Sequence, residues 1–132
     1  MRKYTASVVV CLALVAPAWT QETAKKAAKS ALKEVNAARA RRGLPPYKED
    51  KRLTVAAHGA AKYRAARLIA GHTPNDFQFV PKGGIAQAAG CAAWEPSWGW
   101  GSCCTYENWR YAGAAWAMGR DGRRYMHLFL RR

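Results

Sequence analysis

The chain predicts a small α+β domain, an α-β-α-like layered fold in which two N-terminal helices pack on a short antiparallel sheet. Three observations carry that expectation. Apolar residues recur at helical spacing from about Thr23 to Arg42 and again from Asp50 to Gly71. Leu44-Pro45-Pro46 separates the two patterns with a breaker that no helix crosses. Near the end of the sequence two strand-like runs, 112–118 and 124–130, flank Gly119-Arg120-Asp121-Gly122, and an Asp-Gly pair between such runs is a hairpin signal.

The first helix carries Ala24, Ala28, Ala31, Val35 and Ala38 on one stripe, widened by Leu32, and Gly43 ends it. Lys25, Lys26, Lys29, Lys33, Arg39, Arg41 and Arg42 are read as its solvated outer face. The second helix starts at Asp50, a good N-cap, and points Leu53, Ala57, Ala60, Ala61 and Leu68 inward. Most of these inward positions are alanine, which permits close approach but buries little area. The aromatic second half must therefore supply bulk: Trp94, Trp98, Trp100, Trp109 and Trp116, with Tyr106, Tyr111, Tyr125 and Phe129. Residues 72–111 lack helical period and are rich in Gly, Pro and Ser, so they read as loop with short strands. The final run, Arg124 to Leu130, is apolar on both faces and predicts a strand covered on both sides. There is no internal repeat.

At the N-terminus, Arg2-Lys3, the apolar run Val8–Val15 and Ala16-Pro17-Ala18 have the order of a signal peptide, with cleavage expected near Ala18. The run is too short to span a bilayer. The expected division is therefore residues 1–18 as signal peptide and 19–132 as one domain, secreted or held in the periplasm or cell envelope, with no transmembrane segment after cleavage. The formal net charge is +14. Arg2 and Lys3 account for two of the 22 basic residues, which leaves 20 against 8 acidic ones in the expected mature chain. Such a field attracts polyanions. In an exported protein the expected partner is an anionic cell-wall polymer, glycan or lipid rather than nucleic acid. Export also favours disulfides, and Cys91 is expected to bridge to Cys103 or Cys104, leaving one thiol over.

Several residues fall into one order: Glu34-Val35-Asn36-x-Ala38-Arg39 in the first helix, Gly43-Leu44-Pro45-Pro46 in the linker, Leu53 and Ala56-Ala57 in the second helix, and His72-Thr73 at its end. Together they resemble the opening of the CAP superfamily, the SCP-domain proteins that include cysteine-rich secretory, allergen-like and pathogenesis-related proteins. The C-terminal hairpin is similar to the closing strands of such domains. The resemblance implies a cleft with two His and two acidic residues, sometimes metal-binding, and it places His72 as the first His. The chain departs from the pattern elsewhere. Ala89-Gly90-Cys91-Ala92 has no acid where the family has Gly-Glu-Asn, and Thr105 stands where its second His is expected.

Other residues that could complete a cleft with His72 are Glu95 and Glu107, with His127 a further imidazole, since imidazole and carboxylate together suit a divalent ion. Against this, His127 lies between Met126 and Leu128 on an apolar strand and reads as a hydrogen-bonded core residue, while Glu107 is placed to pair with Arg110. Ser97 and Ser102 lack an elbow motif, and Cys103 or Cys104 beside His72 is the one nucleophile–base pairing on offer. The residues thus assign no catalytic group, no metal ligand set and no cofactor. Trp94-Glu95-Pro96-Ser97-Trp98-Gly99-Trp100 reads either as an exposed aromatic platform for sugar, lipid or peptide or as core filling. The expected function is a non-catalytic binding or structural module. The alternatives are a metal- or Cys-dependent hydrolase with a rearranged site and a lipid, sterol or acidic glycan binder.

Overall fold

The computed structural model describes residues 31–83, 85–102 and 105–132. They form a mixed α/β domain of two helices and a four-stranded sheet. The expected signal peptide, the first turns of the first helix, Cys103 and Cys104 lie outside the described residues.

Helix α1 covers residues 31–40 of the described chain and is followed by a turn to Gly43. Gly43 takes a positive φ of 70°, and the Leu44 N–H donates back to the Arg39 carbonyl, which closes the helix end. Asn36 then pins the Pro-Pro linker: its side chain donates to the Tyr47 carbonyl and accepts from the Tyr47 N–H. Strand β1 is only Lys48–Glu49, and helix α2 runs Lys51–Arg67. Asp50 caps α2 as expected by accepting from the Arg52 N–H, and burial of its carboxyl is outweighed by bonds from Arg52 and Arg131, which hold it down to about 2. The far end differs from expectation. α2 stops at Arg67 rather than Gly71, with Leu68 in the left-handed region at φ 56° and its N–H bonded to the Arg64 carbonyl.

Strands β2 (Ala88–Trp94), β3 (Tyr111–Met118) and β4 (Arg124–Arg131) complete the sheet in the order β1-β3-β4-β2. The β3–β4 hairpin forms as the Asp-Gly turn predicts, with Ala112 opposite Leu130 and Met118 opposite Arg124. β2 pairs antiparallel with β4, whereas the short β1 pairs parallel with β3, so the sheet is not wholly antiparallel. β4 is central and buried along nearly its whole length, as its two-sided apolar pattern requires.

Period-two alternation sorts the sheet side chains into two groups. Ala112 and Ala114 of β3 and Met126, Leu128 and Leu130 of β4 pack with Ala31 and Val35 of α1, joined by Tyr47 and Trp100. Ala115 and Phe129 pack with Leu53, Ala56, Ala57, Ala60 and Ala61 of α2. Gly113 is what lets α2 lie so close. A Cβ there would stand 2.0 Å from the Leu53 carbonyl carbon and the Thr54 nitrogen.

The surface reading of helix α1 needs one correction. Arg39 is buried, not solvated. It donates from Nε to the Pro45 carbonyl and from Nη1 to the carbonyls of Thr105 and Glu107, and it lies over the Tyr47 ring. A guanidinium that finds several carbonyls keeps its charge hydrogen-bonded inside.

Candidate functional site

The site is built where α2 ends. On the α2 side of the sheet, Cys91, His127 and Ala115 are cross-strand neighbours on β2, β4 and β3. Arg64, in the last turn of α2, reaches over this row, and the segment after α2 folds back so that His72 and Asp76 meet it.

Asp76 is the centre of the cluster. Its Oδ1 accepts from Arg64 Nη1 at 3.1 Å, from the Thr73 N–H at 3.0 Å and from the Thr73 hydroxyl at 3.1 Å. Its Oδ2 lies 2.5 Å from His72 Nδ1, the geometry of an N–H donor on a carboxylate. Burial pushes the Asp76 carboxyl up, but the bonds from His72 and Thr73 and the Arg64 charge outweigh it and hold the group below its ordinary range. Arg64 is only 3% exposed, and its Nη2 donates to the Gly71 carbonyl and lies 3.2 Å from Cys91 Sγ.

His127 closes the floor. It is fully buried, as a core histidine should be, yet neither ring nitrogen has a hydrogen-bond partner among the described residues. Its ring packs against Phe129 at 4.5 Å between centroids. It borders a small cavity of about 10 Å3, lined also by Tyr63, Arg64, Thr73 and Asp76, which is about the space of one water molecule. Burial pushes the His127 imidazole down, and Arg64 and His72 add to this against the pull of Asp76, to about 4.

The ligand atoms of His72, Asp76 and Cys91 lie within 4.8 Å of one another, a spacing that suits a metal ion. The arrangement around them does not. The Arg64 guanidinium already bonds Asp76 and lies against Cys91, and His72 Nδ1 is engaged by Asp76. A cation placed among these groups would face a fixed positive charge at contact distance, so this ligand set does not fit a divalent ion while Arg64 is in place.

The other residues singled out by sequence go elsewhere. Glu107 lies by the loop that Arg39 ties to α1. Its carboxylate accepts from Trp109 Nε1 at 2.8 Å instead of pairing with Arg110, and its carbonyl accepts from Tyr47 as well as Arg39. Glu95 is exposed before the short 3-10 turn Pro96–Trp98. The Glu107 bonds run to Trp109, Tyr47 and Arg39, whereas the acid seen bonded to His72 is Asp76.

The tryptophan stretch divides. Trp100 is core, 6% exposed, with its indole N–H on Glu34 Oε2, and Arg124 Nη2 bonds the same oxygen at 2.6 Å. Trp94 is half-buried and donates to the Gly99 carbonyl. Trp98 alone stands out, 71% exposed. Cys91 lies in the cluster, while its expected partners Cys103 and Cys104 are outside the described residues.

Sequence reasoning missed Asp76 and Arg64, and both carried a signal. Asp76 sits four positions after His72 in a Thr-Pro-Asn-Asp turn, the spacing at which a side chain can reach back. Arg64 continues the α2 stripe through Ala57, Ala60 and Ala61, and a charge on an inward stripe needs a buried partner.

The chain matches no known protein-family model, and no curated protein matches it.

Proposed function

We propose that this chain is an exported, CAP/SCP-like domain that acts as a non-catalytic binding module at the cell envelope or outside the cell. The finer architecture belongs to the same proposal: three layers, with α1 on one face of the sheet and α2 on the other. Two packing clusters that divide the sheet residues by face support it.

The observation that carries the reading is Arg64. In the cleft that the family resemblance points to, His72 is present, but a buried arginine occupies the place where a metal or a reacting group would stand. Its two nitrogens turn His72, Asp76 and the Gly71 carbonyl into a brace that holds the segment after α2 onto the sheet. The cluster is thus an internal cross-link in which the Arg64 and Asp76 charges are matched.

Zinc titration calorimetry tests this. The expected result is no site tighter than about 10 μM, because the guanidinium opposes the cation. Submicromolar zinc binding that His72→Ala abolishes would replace this reading with a metal-dependent hydrolase.

A further inference from the structure

A second place on the surface has the character of a ligand site. The linker after α1, the loop before β3 and the end of β4 meet around a groove of about 490 Å3, within the size range of small-ligand pockets. Pro46, Lys48, Asn108, Trp109, Arg110 and Arg132 line it. Hydrogen bonds bring the backbones of the three residues into one region: the Lys48 N–H donates to the Arg110 carbonyl, the Arg110 N–H to the Arg131 carbonyl, and the Arg132 N–H to Gln87 Oε1. No lining residue is acidic, and none of Lys48, Arg110 or Arg132 takes part in an ion pair among the described residues. By contrast Arg39, Arg64 and Arg124 have their guanidinium groups committed to carbonyls or carboxylates. The groove therefore concentrates positive charge that no carboxylate among the described residues balances, with the Arg110 guanidinium 5.4 Å from the Tyr111 ring centroid and that of Arg132 5.6 Å from the Trp109 ring centroid.

Its other walls narrow the ligand. Trp109 is half-buried, its indole N–H held by Glu107, so its ring is fixed in place. Pro46 adds a flat apolar surface. Asn108 offers both a donor and an acceptor. A run of phosphodiesters presents negative charge and no donors along its backbone, and single-stranded nucleic acid is bound on several stacking aromatics in succession. The groove has one. A sugar acid matches better, since its ring has an apolar face for Trp109, hydroxyls for Asn108, and a carboxylate for Arg110 or Arg132.

We propose that the groove formed by Lys48, Asn108, Trp109, Arg110 and Arg132 binds an acidic polysaccharide of the uronic-acid class. This rests on the reading of the chain as a binding module, but not on the state of the His72 cluster, so zinc binding and polymer binding succeed or fail separately.

The test is binding of the purified chain to polygalacturonate, with dextran and an oligodeoxythymidylate as comparison polymers, at low and at moderate salt. Polygalacturonate is expected to bind, dextran not. Lys48→Ala combined with Arg110→Ala, both exposed side chains, is expected to weaken binding at least about tenfold. Trp109→Ala is expected to do the same in protein whose circular dichroism is unchanged. Lys33→Ala with Lys82→Ala, exposed cations remote in sequence from the groove, is expected to leave affinity unchanged. No binding to polygalacturonate, or an equal loss in the Lys33/Lys82 variant, overturns the site. Binding of the oligonucleotide as tight as that of polygalacturonate, with the same sensitivity to the groove variants, overturns the sugar class. Full retention of affinity in folded Trp109→Ala overturns the ring contact.

Discussion

His127 is the residue whose environment has the clearest thermodynamic consequence. A buried imidazole with no partner on either nitrogen is stable only in its neutral form, and Arg64 and His72 face it with further positive or protonatable groups while Asp76 only partly offsets them. Its folded value, about 4, lies below the ordinary 6.5, so the unfolded chain binds this proton more readily. The stability the neutral group contributes is present above pH 6.5 and is lost as pH falls from there to about 4, by an amount on the order of 3 kcal/mol. Asp76 and Asp50, both held below their ordinary values, act in a lower window: their contributions are lost only as pH falls below about 3.8. Urea denaturation of the wild type is expected to show stability falling between pH 6.5 and 4, and His127→Leu to reduce that slope to the share left by His58, whose imidazole burial and Lys62 also push down, while leaving the steeper loss at lower pH. An unchanged slope in the variant would remove His127 as its source. The core position of His127 was legible from Met126 and Leu128 on either side. The missing hydrogen bonds were not, because they depend on what β2 and the α2 terminus bring opposite it.

At the scale of elements, the packing of α2 on β3 is set by the absence of a side chain. Alanine-rich helices bury little area per residue, so contact is gained by proximity, and Gly113 is where proximity reaches its limit. Gly113→Ala would place a methyl group into the α2 backbone at Leu53 and Thr54, where no flexible side chain can yield. The expected cost is at least about 3 kcal/mol, read as a Tm lowered by more than about 10 °C. Gly71→Ala, whose Cβ would meet nothing within 4 Å, is expected to stay within about 0.5 kcal/mol. The elements themselves were largely readable. Asp50 marks the start of α2, and Asp121-Gly122 marks the hairpin, because caps and turns are local chemistry. The stop of α2 was misplaced because Gly71 advertises an end, while the actual end uses Leu68 in a conformation that glycine would adopt more easily. β1 and its parallel pairing were not readable at all. Two residues give no pattern, and their partner is more than sixty positions away.

For the whole molecule, the high positive charge has two fates, and sequence alone does not separate them. Some of it faces outward, as at Lys48, Arg110 and Arg132. Some of it is inside, where three arginines take the place of the large apolar residues that the helices lack. Arg64 ties α2 to the segment after it, Arg124 ties β4 to Glu34 of α1, and Arg39 ties α1 to the linker and to the loop at 105–107. Arg39 bonds across more than sixty positions of sequence, and its planar fork reaches three carbonyls at once while stacking on Tyr47. Lysine has the charge but not the fork. In Arg39→Lys one ammonium can serve at most part of this set, so the buried Thr105 carbonyl and the Pro45 and Glu107 carbonyls compete for fewer donors and a charge is left poorly solvated. Chemical denaturation of Arg39→Lys is expected to show a loss of about 2–4 kcal/mol, with faster amide exchange in the loop from 105 to 109, whereas Arg41→Lys on the exposed side of the same helix end is expected to change stability by less than about 0.5 kcal/mol. Equal effects at the two positions would mean that charge near α1, and not the bonded fork, is what the fold requires.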